Sequence, residues 1–316
     1  MTIPKLVPDS ERLLARLPER PPRREQTLDA NRRGLRQAAE HFFGTKKDVY
    51  SVEDLQVHGR VTIPIRVYRP IESPNLPAVV YAHGGGWALG DIETHDRLCR
   101  ALTNASNCVF ISVGYRRPPE HPFPAAWYDV QDVLRHVHEQ AGALGVDPAR
   151  IALAGDSAGG QLAAATALWA RDIRIKLAHL LLLMPDVDNH PERWPSHAEF
   201  DERYGIYADD QIWYYEQYFG RDWRTAKGTG VSPIDADLDG LPSTTILLAE
   251  CDPVHDEGAA FARKLRASGV EVEVIEYSGM FHPFILFREL TAAREAELAV
   301  GAMLARRLTD PSMQGS

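Results

Sequence analysis

Cysteine is scarce. The 316 residues contain three, Cys99, Cys108 and Cys251, and no CxxC. That excludes a disulfide framework and a thioredoxin-like redox pair, argues against a metal site, and fits a reducing compartment, the cytoplasm. Positive charge is also in deficit: 35 Lys and Arg against 44 Asp and Glu leave 35 − 44 = −9. Nucleic-acid phosphates require a basic face, so no nucleic-acid partner is expected. Long hydrophobic runs are missing too. Nothing approaches the ~18 uninterrupted apolar residues of a spanning helix, so no integral membrane association is expected. The opening stretch MTIPKLVPDSERLLARLPERPPRREQ has no apolar h-region and does not read as a secretory signal. No internal repeat is visible.

What is present is an ordinary globular composition, 44% apolar and 25% charged. The length suits one large α/β domain with insertions, or two small domains. Residues 1–50, rich in Arg, Glu and Pro, suggest short helices lying on something else. YSVEDLQVHG and RVTIPIRVYRP then form two β-type runs, an antiparallel hairpin over 50–70. From residue 76 apolar strands alternate with helices: LPAVVYAH, CVFISVGYR, RIALAGD, KLAHLLLLMP, STTILLAE and VEVEVIEYSG are the strands. Short apolar strands separated by helices imply a mostly parallel sheet covered on both faces.

The rhythm breaks over 186–240, a stretch dense in aromatics: Trp194, Phe200, Tyr204, Tyr207, Trp213, Tyr214, Tyr215, Tyr218, Phe219 and Trp223. It reads either as an inserted helical pair with its own small core or as the wall of a ligand pocket. The two can both hold.

AGDSAGG at 154–160 follows a strand and precedes a helix. G-x-S-x-G in that context is a sharp turn that exposes Ser157 at the sheet edge, with glycines where the chain passes close to itself. A serine hydroxyl is a weak nucleophile until a base takes its proton. In the chain order Ser…Asp…His of α/β-hydrolases, Asp252 in LLAECDPVHDEG and His282 in IEYSGMFHPF are the acid and the base. Glu250, Asp256 and His255 are the rivals. Asp256 begins a helix and suits a cap, and His255 follows Asp252 too closely to reach Ser157. HGGGW at 83–87 then has a use: attack on an ester carbonyl needs preorganised N–H donors for the oxyanion. Gly85, Gly86 and Ala158 are the expected donors, Gly84 shapes the turn, and His83 braces the loop.

These motifs together resemble the bacterial hormone-sensitive-lipase-like (family IV) carboxylesterases. HGGGW stands about 70 residues before GDSAGG, followed by DPVHDEG and FHPF; GDIETHDR (90–97) and YRRPPEHPFPAAWYDV (115–130) also fit. ADDQIWYYEQYF is similar to the acetyl-esterase-like members. The resemblance covers roughly residues 50–310 and implies an α/β-hydrolase fold, a mostly parallel central sheet with helices on both faces and a helical cap. It implies N-terminal cap helices over 1–50, a core over 51–185 and 241–316, and a cap insertion over 186–240. It further implies hydrolysis of short acyl esters with no cofactor and no metal. Relatives are often homodimers, but no sequence stripe here demands one. Three departures stand out: Val254-His255 where the family has Leu-Arg, Arg117-Pro118 where it has Leu-Ala, and Pro283 where glycine follows the histidine. Amidase, lactonase or acyltransferase chemistry on the same triad, and a non-catalytic ligand-binding protein on this scaffold, are the alternatives.

Overall fold

The structure is a computed structural model that describes residues 5–200, 202–206 and 208–309. Eight strands form one sheet: β1 (Ser51–His58), β2 (Thr62–Arg69), β3 (Leu76–Ala82), β4 (Val109–Val113), β5 (Val146–Asp156), β6 (His179–Leu183), β7 (Thr244–Cys251) and β8 (Val272–Phe281). Their order is β1-β2-β4-β3-β5-β6-β7-β8. The first two strands make the antiparallel hairpin the sequence predicts, with His58 opposite Thr62. β2 meets β4 antiparallel, and every pair from β4 to β8 is parallel.

Strands β3, β4 and β6 are buried at every position. That is why LPAVVYA, VFISV and HLLLL carry no alternating polar residues: both faces of the sheet are covered. The helices are α1 (Pro8–Leu14), α2 (Leu28–His41), α3 (Ile92–Ser106), α4 (Ala125–Glu139), α5 (Ala158–Asp172), α6 (Pro195–Glu199), α7 (Ala208–Phe219), α8 (His255–Ala267) and α9 (Thr291–Thr309). Val130 of α4, Leu162 of α5 and Phe261 of α8 share one apolar cluster with Val80 and Ile111 of the sheet. Leu98 of α3 and Leu304 of α9 share the other with Val79 and Phe110. Strand alternation sends neighbouring residues to opposite faces, so both clusters grow from the same strands.

Helix α3 starts in a capping box, Asp91 accepting the Thr94 N–H at 3.0 Å while Thr94 Oγ1 accepts the Asp91 N–H at 2.9 Å. The parallel strands bring their C-terminal ends to one edge, where the loops after β3, β5, β6, β7 and β8 gather.

The 186–240 stretch does not build a separate core. Tyr215, Tyr218 and Trp223 are buried in the cluster of α4 and α5, and Trp87 stacks on Tyr218 with centroids 4.9 Å apart. Tyr207 lies outside the described residues. The N-terminal segment docks in two ways. Leu13 and Phe43 enter the cluster of α3 and α9. Arg20 and the Arg23 N–H are bound by Asp210 of α7, and Arg24 pairs with Glu216. Its attachment to the insertion is both polar and apolar: Leu28 and Leu35 pack around Trp213 and Tyr214, and Leu6 packs against Phe200 and Tyr204. No helix among the described residues is long and apolar enough to cross a membrane.

Candidate active site

Ser157 sits between β5 and α5 with φ 54° and ψ −124°, a conformation non-glycine residues rarely adopt. Close packing enforces it. A Cβ at Gly155 would lie 2.1 Å from the Gly159 carbonyl oxygen, and one at Gly159 would lie 2.1 Å from that of Ala82. Glycines on both sides let the strand reverse into the helix with the serine oxygen outward.

His282 follows β8 directly and Asp252 follows β7. The Ser157 hydroxyl donates to His282 Nε2 at 2.9 Å. The other ring nitrogen, Nδ1, donates to Asp252 Oδ2 at 2.7 Å. Asp252 Oδ1 accepts the Val254 N–H at 2.9 Å, which orients the carboxylate. Asp252 and His282 are both buried. Burial opposes a charged imidazole, but the facing Asp252 carboxylate outweighs it, helped by Asp156 and Asp186, and His282 is raised above its ordinary value.

The rivals point elsewhere. Glu250 accepts the Gly279 N–H at 2.8 Å. His255 lies 3.2 Å from both Asp256 and Glu276. Asp256 does not cap its own helix, as α8 has no side-chain cap. It accepts the Ser196 N–H at 3.0 Å instead, capping α6 of the insertion. The sequence placed Asp256 at a helix start, but the free N–H groups nearest its carboxylate belong to a different helix.

The HGGGW loop is held from below by Asp156, the residue before the serine. Its Oδ1 accepts from Gly84 N–H at 2.8 Å and from the Tyr81 hydroxyl at 2.5 Å, and its Oδ2 lies 3.2 Å from His95 Nε2. Burial alone would raise this carboxyl, yet His95 and Tyr81 keep it below the ordinary value. His83 is buried, stacked on Tyr115 at 4.1 Å, with Nδ1 3.0 Å from the Gly84 carbonyl. Burial, with His95 nearby, pushes it down to about 3, so the ring is neutral. Gly85 and Gly86 have φ of +103° and +56°. Their amides and that of Ala158 donate to no protein acceptor among the described residues. Of the departing residues, Arg117 donates to the carbonyls of Leu89 and Gly90, bracing the same loop's far end.

Gly85, Gly86, Ser157, Ala158, Asp252 and His282 all border one cavity of about 600 Å³. Part of its wall comes from the N-terminal segment, through Leu14, Leu17, Leu35 and Ala38, which pack against the cluster that holds Phe281 and Phe287. Of the insertion's aromatics, Tyr214 alone lines it among the described residues. The insertion's other described rings are used in packing, and the cavity's remaining aromatic lining comes from elsewhere, from Phe42, Phe43, Trp87, Phe281 and Phe287. Sequence reasoning also missed Asp156, His95, Tyr81 and Asp186. Asp156 occupies a position the elbow motif leaves free, His95 lies in GDIETHDR without a role assigned to it, and Tyr81 and Asp186 belong to no motif. Among the described residues no group of three or more His, Cys, Asp or Glu is placed to hold a metal ion.

A serine after β5, an aspartate after β7 and a histidine after β8, hydrogen-bonded in series on a sheet of this topology, are the arrangement of a serine hydrolase of the α/β type. Comparison with known proteins narrows the class. A family model described as the alpha/beta hydrolase fold matches residues 79–286, and the chain belongs to that family. It is 42% identical over 245 residues to Carboxylesterase NlhH of Mycobacterium tuberculosis, covering 75% of this chain and 76% of that protein. It is 34% identical over 268 residues to an ethyl acetate hydrolase of Pseudomonas putida, covering 81% and 83%. A hyperthermophilic esterase from the archaeon Pyrobaculum calidifontis superposes with a TM-score of 0.89 at 37% identity, covering 95% of this chain and 98% of that one. The protein is a carboxylic ester hydrolase.

Proposed function

We propose that this ester hydrolase cleaves short-chain acyl esters through an acyl-enzyme on Ser157. The observation that carries the reading is the relay of 2.9 and 2.7 Å from Ser157 through His282 to Asp252 in a cavity lined by both aliphatic and aromatic side chains. Ser157 Oγ attacks the acyl carbon as its proton passes to His282 Nε2. The oxyanion takes hydrogen bonds from the amides of Gly85, Gly86 and Ala158. His282 then gives the proton to the departing alcohol, and water repeats the sequence to release the acid. Asp252 holds the imidazole tautomer and stabilises the imidazolium.

Residues 1–50 and 186–240 act as the cap, the first lining the cavity's mouth and the second its inner wall at Tyr214. A finite roofed cavity favours substrate until the acyl chain meets a wall. Each methylene that fits adds up to ~0.8 kcal/mol, and the first that does not costs ~1–3 kcal/mol of overpacking. The break falls at roughly C2 to C6 by analogy with the relative named for ethyl acetate. Three buried unpaired cysteines support a cytoplasmic setting. A homodimer, as in family relatives, is checked by light scattering.

The test joins two measurements. A fluorophosphonate should label the protein at one site and fail on Ser157→Ala. kcat/KM across p-nitrophenyl acetate to palmitate should rise and then break among short chains. Labelling that survives the substitution refutes the nucleophile; a maximum at long chains refutes the short-acyl reading. Matched amide and thioester substrates distinguish amidase, lactonase or acyltransferase chemistry.

A further inference from the structure

One carboxyl group in the cavity wall takes no part in the relay. Asp186 lies just past β6, and its N–H donates to the Ser157 carbonyl at 3.2 Å, which pins it beside the nucleophile's own peptide. Its side chain is buried, and the small remainder opens on the cavity shared with Ser157 and His282. Asp186 Oδ2 accepts from Gln211 Nε2 at 2.8 Å and from the Tyr215 hydroxyl at 3.2 Å, both on α7. Oδ1 has no protein partner among the described residues. An apolar ester needs no carboxyl in its wall, and an oxygen that faces a cavity without a protein partner keeps its bonding capacity for what enters there. An oxygen left open at the reacting centre is therefore available to substrate.

We propose that Asp186 is a specificity-determining residue, whose Oδ1 hydrogen-bonds a hydroxyl or carbonyl oxygen that the substrate carries a few bonds from its scissile ester. The proposal rests on the ester-hydrolase reading of Ser157. The preferred class is short esters with an oxygen substituent on the acyl or the alcohol flank. Protonation suits the role. Burial pushes Asp186 up to about 8; the Tyr215 hydroxyl, His282 and Gln211 work against it, while Asp188 adds to it. Glu257 of α8, buried behind, is raised as well by burial and by Asp186, Asp188 and Asp252. Burial thus favours the protonated acid over the carboxylate. With Oδ2 held as an acceptor by two donors, its proton belongs on Oδ1, so that oxygen can donate as well as accept.

Two isosteric pairs test this on the full-length protein: ethyl 2-hydroxypropanoate against ethyl 2-methylpropanoate for the acyl flank, and 2-hydroxyethyl acetate against propyl acetate for the alcohol flank. Within each pair a hydroxyl replaces a methyl. The readout is the kcat/KM ratio in the wild type divided by the same ratio in Asp186→Leu, which cancels the esters' intrinsic reactivities. One pair should show a preference about three- to tenfold larger in the wild type, the scale of one neutral hydrogen bond. Asp186→Asn should keep part of it, since an amide also donates and accepts. Asp186→Ala, which removes the carboxyl without adding bulk, gives the same readout if the Leu variant does not fold. Ratios unchanged in both pairs overturn the proposal, including the case where the variants only melt earlier because α7 has lost its fastening. Wild type that hydrolyses neither apolar ester refutes the ester-hydrolase reading instead.

Discussion

Gly86→Ala tests whether the loop and the insertion are fitted to one another. Gly86 has φ +56°, the left-handed region, where an alanine is strained by ~1–2 kcal/mol. Space is the larger obstacle. The new Cβ would stand 2.0 Å from Tyr214 Cδ1, 2.3 Å from Cγ and 2.4 Å from Cε1, against a comfortable carbon–carbon separation of about 3.5–4.0 Å. Ring or loop must move by more than an ångström. Tyr214 is carried by α7, whose neighbouring Tyr215 and Tyr218 are fully buried, so the loop yields first. A displacement of that size can cost ~10²-fold, and losing one oxyanion donor costs ~10²–10³ in kcat. We expect kcat on p-nitrophenyl acetate to fall by about 10²–10³ with a smaller change in KM, in a protein whose circular dichroism is unchanged. In the Gly86→Ala/Tyr214→Ala double variant the obstacle is gone and only the φ strain remains. Measured against Tyr214→Ala alone, the glycine substitution should then cost at least tenfold less, a coupling of about 1.4 kcal/mol. A Gly86→Ala enzyme within threefold of wild type, or a double variant with no recovery, would refute the reasoning.

Asp252→Asn should lower kcat by on the order of 10²–10⁴ by favouring the wrong imidazole tautomer. The same substitution should move the acid limb of kcat/KM. Asp252 is the main influence raising His282 above 6.5, and the base must be neutral to act, so the wild-type limb has its midpoint above that value and the variant's shifts to lower pH. Asp256→Ala should cost about 1 kcal/mol of stability through the lost cap on α6, read as a lower Tm, with kcat within threefold; a dead variant would make Asp256 the acid. Deleting residues 1–40 removes Leu14, Leu17, Leu35 and Ala38 from the cavity wall, and should lower kcat/KM for short esters and blunt the acyl-length break. An unchanged profile would show that the segment does not shape the pocket.

The sheet was legible because its strands are short and punctuated, and because from β3 onward helices separate them. The elbow was legible because a close reversal leaves only small residues at Gly155 and Gly159. What could not be read was where long-range polar bonds go. Asp256 looks like a cap on α8 and caps α6, since the partner lies 60 residues away in sequence. Asp156 organises the oxyanion loop through Gly84, Tyr81 and His95, residues with no shared spacing. The aromatics of 186–240 announced a buried surface but not its owner, and most proved to belong to the main core. Asp186 gave no signal at all: a lone acid after a strand is ordinary until a cavity is found beside it.

The stack of Trp87 on Tyr218 bears on how ester and products come and go. Helix α7 is further tied by the Phe123 N–H donating to the Tyr218 carbonyl at 2.8 Å and by Gln211 and Tyr215 on Asp186. Swinging it outward would drag the HGGGW loop along and displace the amides of Gly85 and Gly86, so it serves as a rafter and not as a hatch. The N-terminal segment is held partly by the buried Asp210 and by Leu13 and Phe43 in the core, and partly at its surface. Arg24–Glu216 and Arg16–Glu289 are pairs that solvent reaches, and dissolved ions weaken such pairs while leaving buried rings untouched. Ionic strength therefore acts on the segment's surface pairs, while the Trp87–Tyr218 stack that ties α7 to the HGGGW loop is insulated from it.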